Sequence, residues 1–453
     1  MRKHPNVVYV FSDQHRFDAV GYAGNPDVRT PVMDRLHQQS LTFDTALANA
    51  PVCCPARASL LTGQRSLTNG VFVNDVSLSP DAVTIGKLFK QAGYDTAYVG
   101  KWHVDGQGRL DYIPPERRQG FDFWRVMECT HNYNRSYYYG DSPEKLQWPG
   151  YDAEEQAACV CDYIRNRDGK RPFLLFLSWG PPHSPYHTAP EPYRNLYEPE
   201  ELTLRPNVPK AAAAQARAML AGYYAHISAL DEYLGSIWNT LIEEELEEDT
   251  IFIYTSDHGD MLGSHGEWNK QRPWDESIRV PFLLHYPQAF GRKGRSTDVP
   301  FGTIDILPTL LGLCGMDIPA HVEGTNLAPY LRGEHDQAPD AALIECVHPF
   351  GQWTRAQGGR EFRGIRTSRY TYVRSLTGPW LLYDNEQDPY QLRNLLGTPD
   401  GDQLLPELNN KLDEWLHAYK DEFLPGDDYI ARWGYTVDET GTVPYRGFDP
   451  EGE

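Results

Sequence analysis

Cysteine, basic residues and long hydrophobic runs are all scarce in this sequence. Seven cysteines are spread over 453 residues, which is too few, and an odd number, for a scaffold held together by disulfide bonds. The first apolar run, Val7 to Phe11, is too short for the core of a signal peptide or for a membrane span. We therefore expect no membrane association. We expect a cytoplasmic protein if the chain is complete, and a periplasmic or secreted one if a leader has been trimmed.

The charge balance is strongly acidic. Forty-two lysine and arginine residues stand against 63 aspartate and glutamate residues, which gives a formal net charge of −21. This argues against a nucleic-acid-binding protein, because such proteins need a basic surface. An anionic substrate must be attracted by a metal ion or a local group of cations, against the field of the whole protein. Because 40% of the residues are hydrophobic, the chain can still bury a large core.

Up to about residue 340 the chain alternates between apolar, β-rich runs and amphipathic segments. The predicted strands lie at 6–12, 95–103, 171–180, 250–260 and 280–287. The predicted helices lie at 30–41, 81–94 and 211–246. Continuous apolar runs are typical of strands buried on both faces of a parallel sheet. The alternation therefore predicts an α/β fold, in which ligands gather beyond the carboxyl ends of the strands.

The pattern changes near residue 340, where polar residues and prolines at 327–342 indicate a boundary. We therefore expect two domains, 1–340 and 341–453, with the smaller one contributing to the substrate pocket. Within the second domain, segments 342–347, 362–375 and 379–385 have the residue types of antiparallel strands, and 402–424 has the spacing of an amphipathic helix.

Two adjacent cysteines, Cys53 and Cys54, lie among turn-forming residues and a cation instead of inside an apolar run. Counted from Cys53, a proline follows at the second position and an arginine at the fourth, whereas both positions after Cys54 hold alanine. The string C-x-P-x-R, continued by ASLLTGQ, resembles the signature of the type I sulfatases, in the alkaline phosphatase superfamily. The alternative is a buried pair of thiols at the start of a helix.

The resemblance implies that a formylglycine-generating enzyme, a partner of this protein, converts Cys53 to the aldehyde formylglycine. One hydroxyl of the hydrated aldehyde would attack sulfur, and the other would let the group collapse and expel sulfate. The implied fold is an alkaline-phosphatase-like α/β/α sandwich with a large, mixed, mostly parallel sheet and a smaller C-terminal α+β subdomain with an antiparallel sheet. The resemblance covers nearly the whole chain, including 323–333 and 380–395.

Two predicted strands are followed by side chains that suit a hard divalent cation. Asp13 and Gln14 follow the first strand, while Asp257 and His258 follow the run that starts at residue 250, so both pairs should meet at one edge of the sheet. By the resemblance these four residues and Cys53 bind calcium, with Mg²⁺ or Mn²⁺ as alternatives. Many sulfatases have a second aspartate in place of Gln14 and often an asparagine in place of His258. The missing negative charge at Gln14 should weaken cation binding and favour an anion.

The resemblance also assigns the remaining catalytic positions. The string GKWH places Lys101 and His103 two residues apart, on one face if the strand continues, to bond the formylglycine and the sulfate. Arg57 would pair with the oxygens of the nucleophile, Lys270 would bind sulfate, and His183, in a P-H-x-P element, would donate a proton to the leaving oxygen. These cations and the metal would supply the local positive charge that an anionic substrate needs.

Two long loops, 129–152 and 348–364, are rich in aromatic and polar residues of the kind that stack on sugars and bond hydroxyl or sulfate groups. The candidate substrate-binding residues are Arg135, His265, Trp353 and Arg355. We therefore expect the substrate to be a small-molecule or oligosaccharide sulfate ester, and a carbohydrate in preference to a simple aryl group. The alternative is that these loops are packing inserts or contacts within a homo-oligomer.

Two other functions are open. A phosphonate monoester or phosphodiester hydrolase of the same superfamily shares C-x-P-x-R and the metal site, although GKWH favours a sulfatase. An inactive sulfate-binding homologue would have lost the nucleophile or a metal ligand, whereas Cys53, Asp13 and Asp257 are all present.

Overall fold

The computed structural model of the protein describes residues 4–445. Within them the strands are β1 (Asn6–Asp13), β2 (Leu41–Phe43), β3 (Ala46–Leu47), β4 (Asp95–Lys101), β5 (Phe123–Met127), β6 (Tyr137–Tyr139), β7 (Lys145–Gln147), β8 (Phe173–Pro182), β9 (Thr250–Ser256), β10 (Leu283–His285), β11 (Arg295–Thr297), β12 (Phe301–Gly302), β13 (Ala341–Cys346), β14 (Phe362–Thr367), β15 (Tyr370–Ser375) and β16 (Gly378–Asp384).

The α-helices are α1 (Pro31–His37), α2 (Cys53–Thr62), α3 (Ser66–Asn69), α4 (Ile85–Gln91), α5 (Asp152–Asn166), α6 (Glu191–Arg194), α7 (Ala213–Glu243), α8 (Asp275–Ile278), α9 (Pro287–Phe290), α10 (Thr303–Leu313), α11 (Ala328–Leu331), α12 (Pro399–Ala418) and α13 (Gly426–Trp433). Not one of the helices between residues 4 and 445 combines the length and the apolar character needed to cross a membrane.

The large sheet has ten strands in the order β11-β2-β10-β9-β1-β8-β4-β5-β6-β7. Its centre, β9-β1-β8-β4-β5, is parallel throughout. Antiparallel pairs occur on both sides of this centre, at β10 and at β6 and β7. The predicted mixed, mostly parallel sheet is thus confirmed.

Strand β1 shows why this sheet needs helices on both faces. Successive side chains of a strand point to opposite faces. Tyr9 and Phe11 join one hydrophobic cluster, which includes α2 and α10, whereas Val8 and Val10 join another, which includes α5 and α7. All eight residues of β1 are buried. A strand that is apolar on both faces is stable only between two helical layers, which gives the α/β/α sandwich.

The second sheet is antiparallel and has four strands in the order β13-β14-β15-β16. Helix α12 covers one face through Leu408, Leu412 and Leu416, which have helical spacing and pack with apolar residues of this sheet. The sheet begins at Ala341, next to the predicted boundary; the division into domains 1–340 and 341–453 stays a prediction, and residues 446–453 lie outside the described part. The strand predicted at 280–287 is shorter, because only Leu283–His285 pairs with neighbouring strands.

Candidate active site

Four parallel strands deliver their last residues, or the residues just after them, to one edge of the large sheet. Asp13 ends β1, Lys101 ends β4, Asp257 follows β9 and His183 follows β8. Because Ser12 of β1 is paired with Ser256 of β9, Asp13 and Asp257 lie side by side. The carboxyl ends of neighbouring parallel strands form the usual ligand crevice of an α/β fold.

Cys53 is the first residue of helix α2, and all ten residues of this helix are buried. Val52 before it is extended (φ −159°, ψ 148°), Pro55 fits the first turn because its missing amide hydrogen has no partner there, and Gly63 ends the helix at φ 64°. The helix therefore presents residue 53 at its amino end, where unsatisfied N–H groups and the helix dipole favour negative charge.

The ligand atoms of four buried side chains converge at this edge. The four are Asp13, Cys53, Asp257 and His258, and their ligand atoms all lie within 4.8 Å of one another. Cys53 Sγ is 3.6 Å from Asp13 Oδ1 and 3.3 Å from His258 Nε2. Two carboxylates, an imidazole nitrogen and the atom at position 53 directed at one point fit a divalent cation.

The imidazole of His258 and the carboxylate of Asp257 are held in orientations suited to a cation. His258 Nδ1 lies 2.9 Å from the carbonyl oxygen of Gly259 and donates to it, so the lone pair of Nε2 faces the cluster. Asp257 Oδ1 accepts from the backbone N–H groups of Gln14 (3.1 Å) and His258 (2.9 Å).

The guanidinium of Arg57 bonds the two carboxylates. Its Nε lies 3.1 Å from Asp257 Oδ2, its Nη2 lies 3.3 Å from Asp13 Oδ2, and its Nη1 donates to Ser178 Oγ at 2.7 Å. The sequence suggested a pairing with the oxygens of the nucleophile. The structure shows that Arg57 neutralises and orients the two aspartates, and its pairing with the nucleophile stays a prediction.

Two lysines bring further positive charge to the cluster. Lys101 Nζ lies 2.6 Å from Asp13 Oδ2. Lys270 Nζ lies 3.0 Å from both Cys53 Sγ and Gln14 Oε1. Both lysines are buried. The strongly acidic protein thus concentrates cations at this edge, as the charge argument required.

The two neighbouring cysteines lie in different electrostatic surroundings. Burial and the Asp13 carboxylate raise the pKa of the Cys53 thiol, but Lys270 and Lys101 outweigh them and hold this pKa well below its ordinary value. Burial raises the pKa of the Cys54 thiol to about 11. The two thiols thus differ in their surroundings, and only Cys53 lies among the converging ligand atoms and lysines.

His183 lies against a second histidine that sequence reasoning missed. The rings of His183 and His131 are stacked, with centroids 4.5 Å apart and an angle of 2° between the planes. His183 Nδ1 lies 2.8 Å from the carbonyl oxygen of Ser184 and donates to it. Burial, Lys270 and His131 lower the pKa of His183 well below its ordinary value.

The expected geometry of GKWH is corrected at His103. Strand β4 ends at Lys101 and His103 has a left-handed backbone (φ 59°), so the strand does not continue and the alternation argument fails there. His103 Nε2 lies 3.1 Å from Asp75 Oδ1, and Cys54, Asp75 and His103 form a second group with ligand atoms within 4.8 Å of one another. Its role at residue 53 stays a prediction.

The structure explains why a glycine stands before Lys101 in the string GKWH. Gly100 has φ 102°, and a Cβ atom there would lie 2.0 Å from the carbonyl oxygen of Ser178. Any larger residue would push β4 away from β8 and displace Lys101.

The four candidate substrate-binding residues differ in how far they are exposed and in what they contact. Arg135 is exposed in the loop that carries His131. His265 stacks on Trp274 at 5.0 Å and its Nε2 bonds Asn207.

For Trp353 the structure requires a correction. Its ring is 2% exposed, stacks on Trp380 and packs against the Arg272 guanidinium, so it has a packing role and offers little surface to a sugar. Arg355 remains half exposed but is paired with Glu361 and Asp427.

Ser178 and Asp260 also contact site residues, although the sequence patterns did not point to them. Ser178 lies inside an apolar strand and gave no signal. Asp260 is fully buried two residues after His258 and accepts from Gln14 Nε2 and Tyr186. The string DHGD contained the clue, since a second acid close to a metal ligand often orients it.

Comparison with known proteins agrees with this geometry. A sulfatase family model matches residues 5–316, and a model of the C-terminal region of N-sulphoglucosamine sulphohydrolase matches residues 263–418. An ulvan-active sulfatase of Formosa agariphila is 42% identical, covering 98% of this chain and 88% of that protein. An endo-4-O-sulfatase of Bacteroides thetaiotaomicron is 31% identical, covering 87% and 88%.

A solved structure leads to the same family. It comes from work on the metabolism of glycosaminoglycans by Bacteroides thetaiotaomicron, and it superposes with a TM-score of 0.85 at 28% identity over 98% of this chain and 100% of that one. The family uses a formylglycine and a divalent metal, and the side chains of Asp13, Cys53, Asp257 and His258 form a cluster that could hold a metal ion. The chain belongs to the sulfatase family of the alkaline phosphatase superfamily and is a sulfuric ester hydrolase.

Proposed function

We propose that this protein removes sulfate from a sulfated carbohydrate, with a formylglycine made from Cys53 as the nucleophile and a divalent cation beside it. The observation that carries the proposal is the position of Cys53. Its Sγ atom lies 3.6 Å from Asp13 Oδ1, 3.3 Å from His258 Nε2 and 3.0 Å from Lys270 Nζ. A nucleophile, a cation site and fixed positive charge in one buried space are what sulfuryl transfer requires.

The cation would be held at the ends of β1 and β9. Its ligands would be residue 53, Asp13, Gln14, Asp257 and His258. When bound, it supplies a Lewis acid that polarises a sulfate oxygen and favours the anionic form of the nucleophile. We propose Ca²⁺, with Mg²⁺ or Mn²⁺ as alternatives, because Asp13, Gln14 and Asp257 offer hard oxygen ligands.

Residue 53 would be matured by a formylglycine-generating enzyme of the host. Formylglycine supplies a hydrated aldehyde, with one hydroxyl to attack and another to allow the release of sulfate. The protein's own contribution is the amino end of α2 together with Lys101 and Lys270, which favour an anionic atom at this position. The lowered pKa of the Cys53 thiol is consistent with that environment.

Two lysines would hold the sulfate group, and an arginine would hold the carboxylates beside it. Lys101 and Lys270 would bind its oxygens, while Arg57 would keep the two aspartates in place. Charge arranged before the substrate arrives is worth most in a buried site, because nothing has to reorganise during the reaction. Local cations also overcome the formal net charge of −21.

His183 would give a proton to the leaving oxygen. Its Nδ1 is committed to the Ser184 carbonyl, which leaves Nε2 for the substrate. Burial, Lys270 and His131 lower the pKa of His183 before substrate binds. A bound sulfate ester would offset the Lys270 charge and raise this pKa again, so that the acid forms where it is needed.

A carbohydrate substrate is supported by the relatives and by the loops. The two relatives compared above are named for activity on ulvan and for an endo-4-O-sulfatase activity. The loop 129–152 brings His131 to the ring of His183. The segment that follows β13 reaches the same region, because the backbone of Phe350 bonds the side chain of Gln271, the residue after Lys270. We therefore propose that the smaller domain, 341–453, completes the substrate pocket. Arg135, His265 and Arg355 stay candidates for contacts outside the sulfate site.

The test uses matured enzyme and defined sulfated saccharides. The peptide that contains residue 53 should have the mass of formylglycine, and sulfate release should disappear on chelation and return when Ca²⁺ is added. Faster turnover of a phosphodiester or phosphonate monoester than of every sulfate ester would overturn the proposal in favour of the alternative hydrolase. Absence of turnover on all three classes by fully matured, calcium-loaded enzyme would favour an inactive homologue.

A further inference from the structure

Asp260 is a buried carboxylate that the proposed reaction does not use. It is 0% exposed, and it lies two residues beyond His258. Its Oδ2 accepts hydrogen bonds from Gln14 Nε2 and from the Tyr186 hydroxyl, the latter at 2.6 Å. Its Oδ1 accepts from the backbone N–H of Leu262 at 3.0 Å. These donors fix the carboxylate behind the side chain of Gln14.

The side-chain amide of Gln14 faces two different partners. Nε2 donates to Asp260, whereas Oε1 accepts from Lys270 Nζ at 3.0 Å, on the side where Lys270 also contacts Cys53 Sγ. An amide has one donor end and one acceptor end, and a carboxylate can only accept. Asp260 therefore determines which end of Gln14 points toward the cation cluster, and the end it selects is the carbonyl oxygen.

The backbone of Gln14 is fixed as well. Its φ is 73°, its N–H donates to Asp257 Oδ1 at 3.1 Å, and its carbonyl oxygen accepts from the Tyr223 hydroxyl at 2.7 Å. With the main chain held on both sides, the remaining freedom of the residue is in its side chain. The bond to Asp260 removes that freedom.

We infer that Asp260 is a positioning residue that makes Gln14 a neutral oxygen ligand of the cation and excludes a carboxylate from position 14. A glutamate there would bring two negative charges together in a buried space, which is strongly unfavourable. Compared with a site that has a carboxylate at position 14, this site has one negative charge fewer among the cation's ligands and one more, that of Asp260, directly behind them. This inference rests on the proposed function, in which Gln14 is a ligand.

A purely structural role for Asp260 predicts a different behaviour. If Asp260 only fills space and bonds Tyr186, its replacement should lower stability without changing cation affinity. If it orients Gln14, the two positions should be coupled, and a carboxylate at 14 should be tolerated once position 260 can donate a hydrogen bond. Non-additivity of two substitutions measures such coupling.

The experiment compares calcium binding, by calorimetry on the matured full chain after chelation, for wild type, Gln14→Glu, Asp260→Asn and the double variant. Gln14→Glu should bind Ca²⁺ more weakly than wild type, because the new carboxylate faces Asp260. Asp260→Asn should bind it about tenfold to a hundredfold more weakly, the usual range for disturbing a ligand's outer partner. The double variant should recover wild-type affinity or exceed it, because the amide of the new asparagine donates to the new carboxylate. Additive effects, or unchanged affinity in Gln14→Glu, would overturn the inference.

Two controls separate this inference from the proposed function. Asp305→Asn removes another buried carboxylate that accepts two backbone N–H groups, those of Gly302 and Thr325, and it should change stability alone. Asp13→Asn should abolish calcium binding. If Asp13→Asn binds Ca²⁺ normally, the cation site itself is wrong. If Asp13→Asn fails to bind while the Gln14 and Asp260 effects simply add, only the role of Asp260 is wrong.

Discussion

The active site and the junction between α2–α3 and the small sheet both bury several charged side chains, but they balance these charges differently. At the junction Arg65 pairs with Glu345 and Asp421, and Arg363 also pairs with Asp421. All four side chains are at most 2% exposed. Tyr429 donates a further bond to Asp421. Here opposite charges meet directly and no ligand is required.

At the active site the acceptors converge on one another. The ligand atoms of Asp13, Cys53, Asp257 and His258 lie within 4.8 Å of one another, and Lys101 and Lys270 lie beside them. Such an arrangement is costly without a cation, because like charges are brought together in a buried space. Burial of charge is therefore not in itself the mark of a functional site. The mark is acceptors that converge.

The largest difference between the two clusters should appear at Cys53. Cys53→Ala should lower sulfate release on the order of 10⁵-fold or more, since it removes the nucleophile. The thermal unfolding temperature should change little, because the helix and its packing remain. The matched control is Cys54→Ala, which should keep most of the activity. Measured turnover on one sulfated saccharide decides the matter, and comparable losses in both variants would contradict the assignment.

The second expected effect is on the proton donor. His183→Ala should slow sugar sulfates roughly 10²-fold to 10⁴-fold, the usual contribution of a general acid. Activated phenol sulfates should lose much less, because a phenolate leaves without a proton. The readout is the ratio of the two rates in the variant and in wild type. Equal losses on both substrates would remove His183 from the protonation step.

At the junction the expected effect is on stability. Asp421→Ala leaves Arg65 and Arg363 buried without this partner, which should cost about 3–5 kcal/mol in the free energy of unfolding. Activity per folded molecule should be unchanged, in contrast to Cys53→Ala. Urea unfolding measures the first quantity, and turnover corrected for the folded fraction measures the second. If Asp421→Ala lost turnover but kept normal stability, the junction would not be a purely structural cluster.

The smallest expected effect is the pH dependence of stability at another buried ion-pair cluster, in which Asp275 pairs with Arg279 and Arg366. Burial opposes ionisation of Asp275, but Arg366 and Arg279 outweigh it and lower the pKa of Asp275 to about 2. A carboxyl with a lowered folded-state pKa stabilises the fold above its unfolded pKa, near 4, and loses that contribution as the pH falls toward 2.

The difference in unfolding free energy between wild type and Asp275→Asn should therefore be largest at neutral pH and shrink by about 2 kcal/mol as the pH falls toward 2. Urea unfolding at a series of pH values measures this difference. A difference that stays constant with pH would show that charge pairing at Asp275 does not contribute to stability.

Much of the site could be predicted because its residues stand at the ends of strands. Asp13, Lys101, Asp257 and His183 each come at or just after a strand end, and parallel strands end at a common edge. The Cys-x-Pro-x-Arg string and the start of α2 are local as well. These features depend on residues close together in the chain, so a pattern can reveal them.

Other features depend on residues that are far apart in the chain. Arg57 and Asp257 are separated by 200 positions, and Gln14 and Asp260 by 246. No spacing rule predicts such contacts. The error at His103 has the same origin, since its left-handed backbone is set by its surroundings and not by the strand before it.

The sequence by itself determined which segments form the central strands, which cysteine follows the sulfatase pattern and which polar residues end the strands. Each of these is a property of short segments, governed by local conformation and hydrophobic pattern. The tertiary structure alone decided that Arg57 bonds the two aspartates and that His131 stacks on His183. It also decided that Trp353 is buried and that Asp260 accepts a hydrogen bond from the Gln14 amide. These outcomes required the packing of distant segments, because a hydrogen bond or a ring contact acts only over a few ångströms.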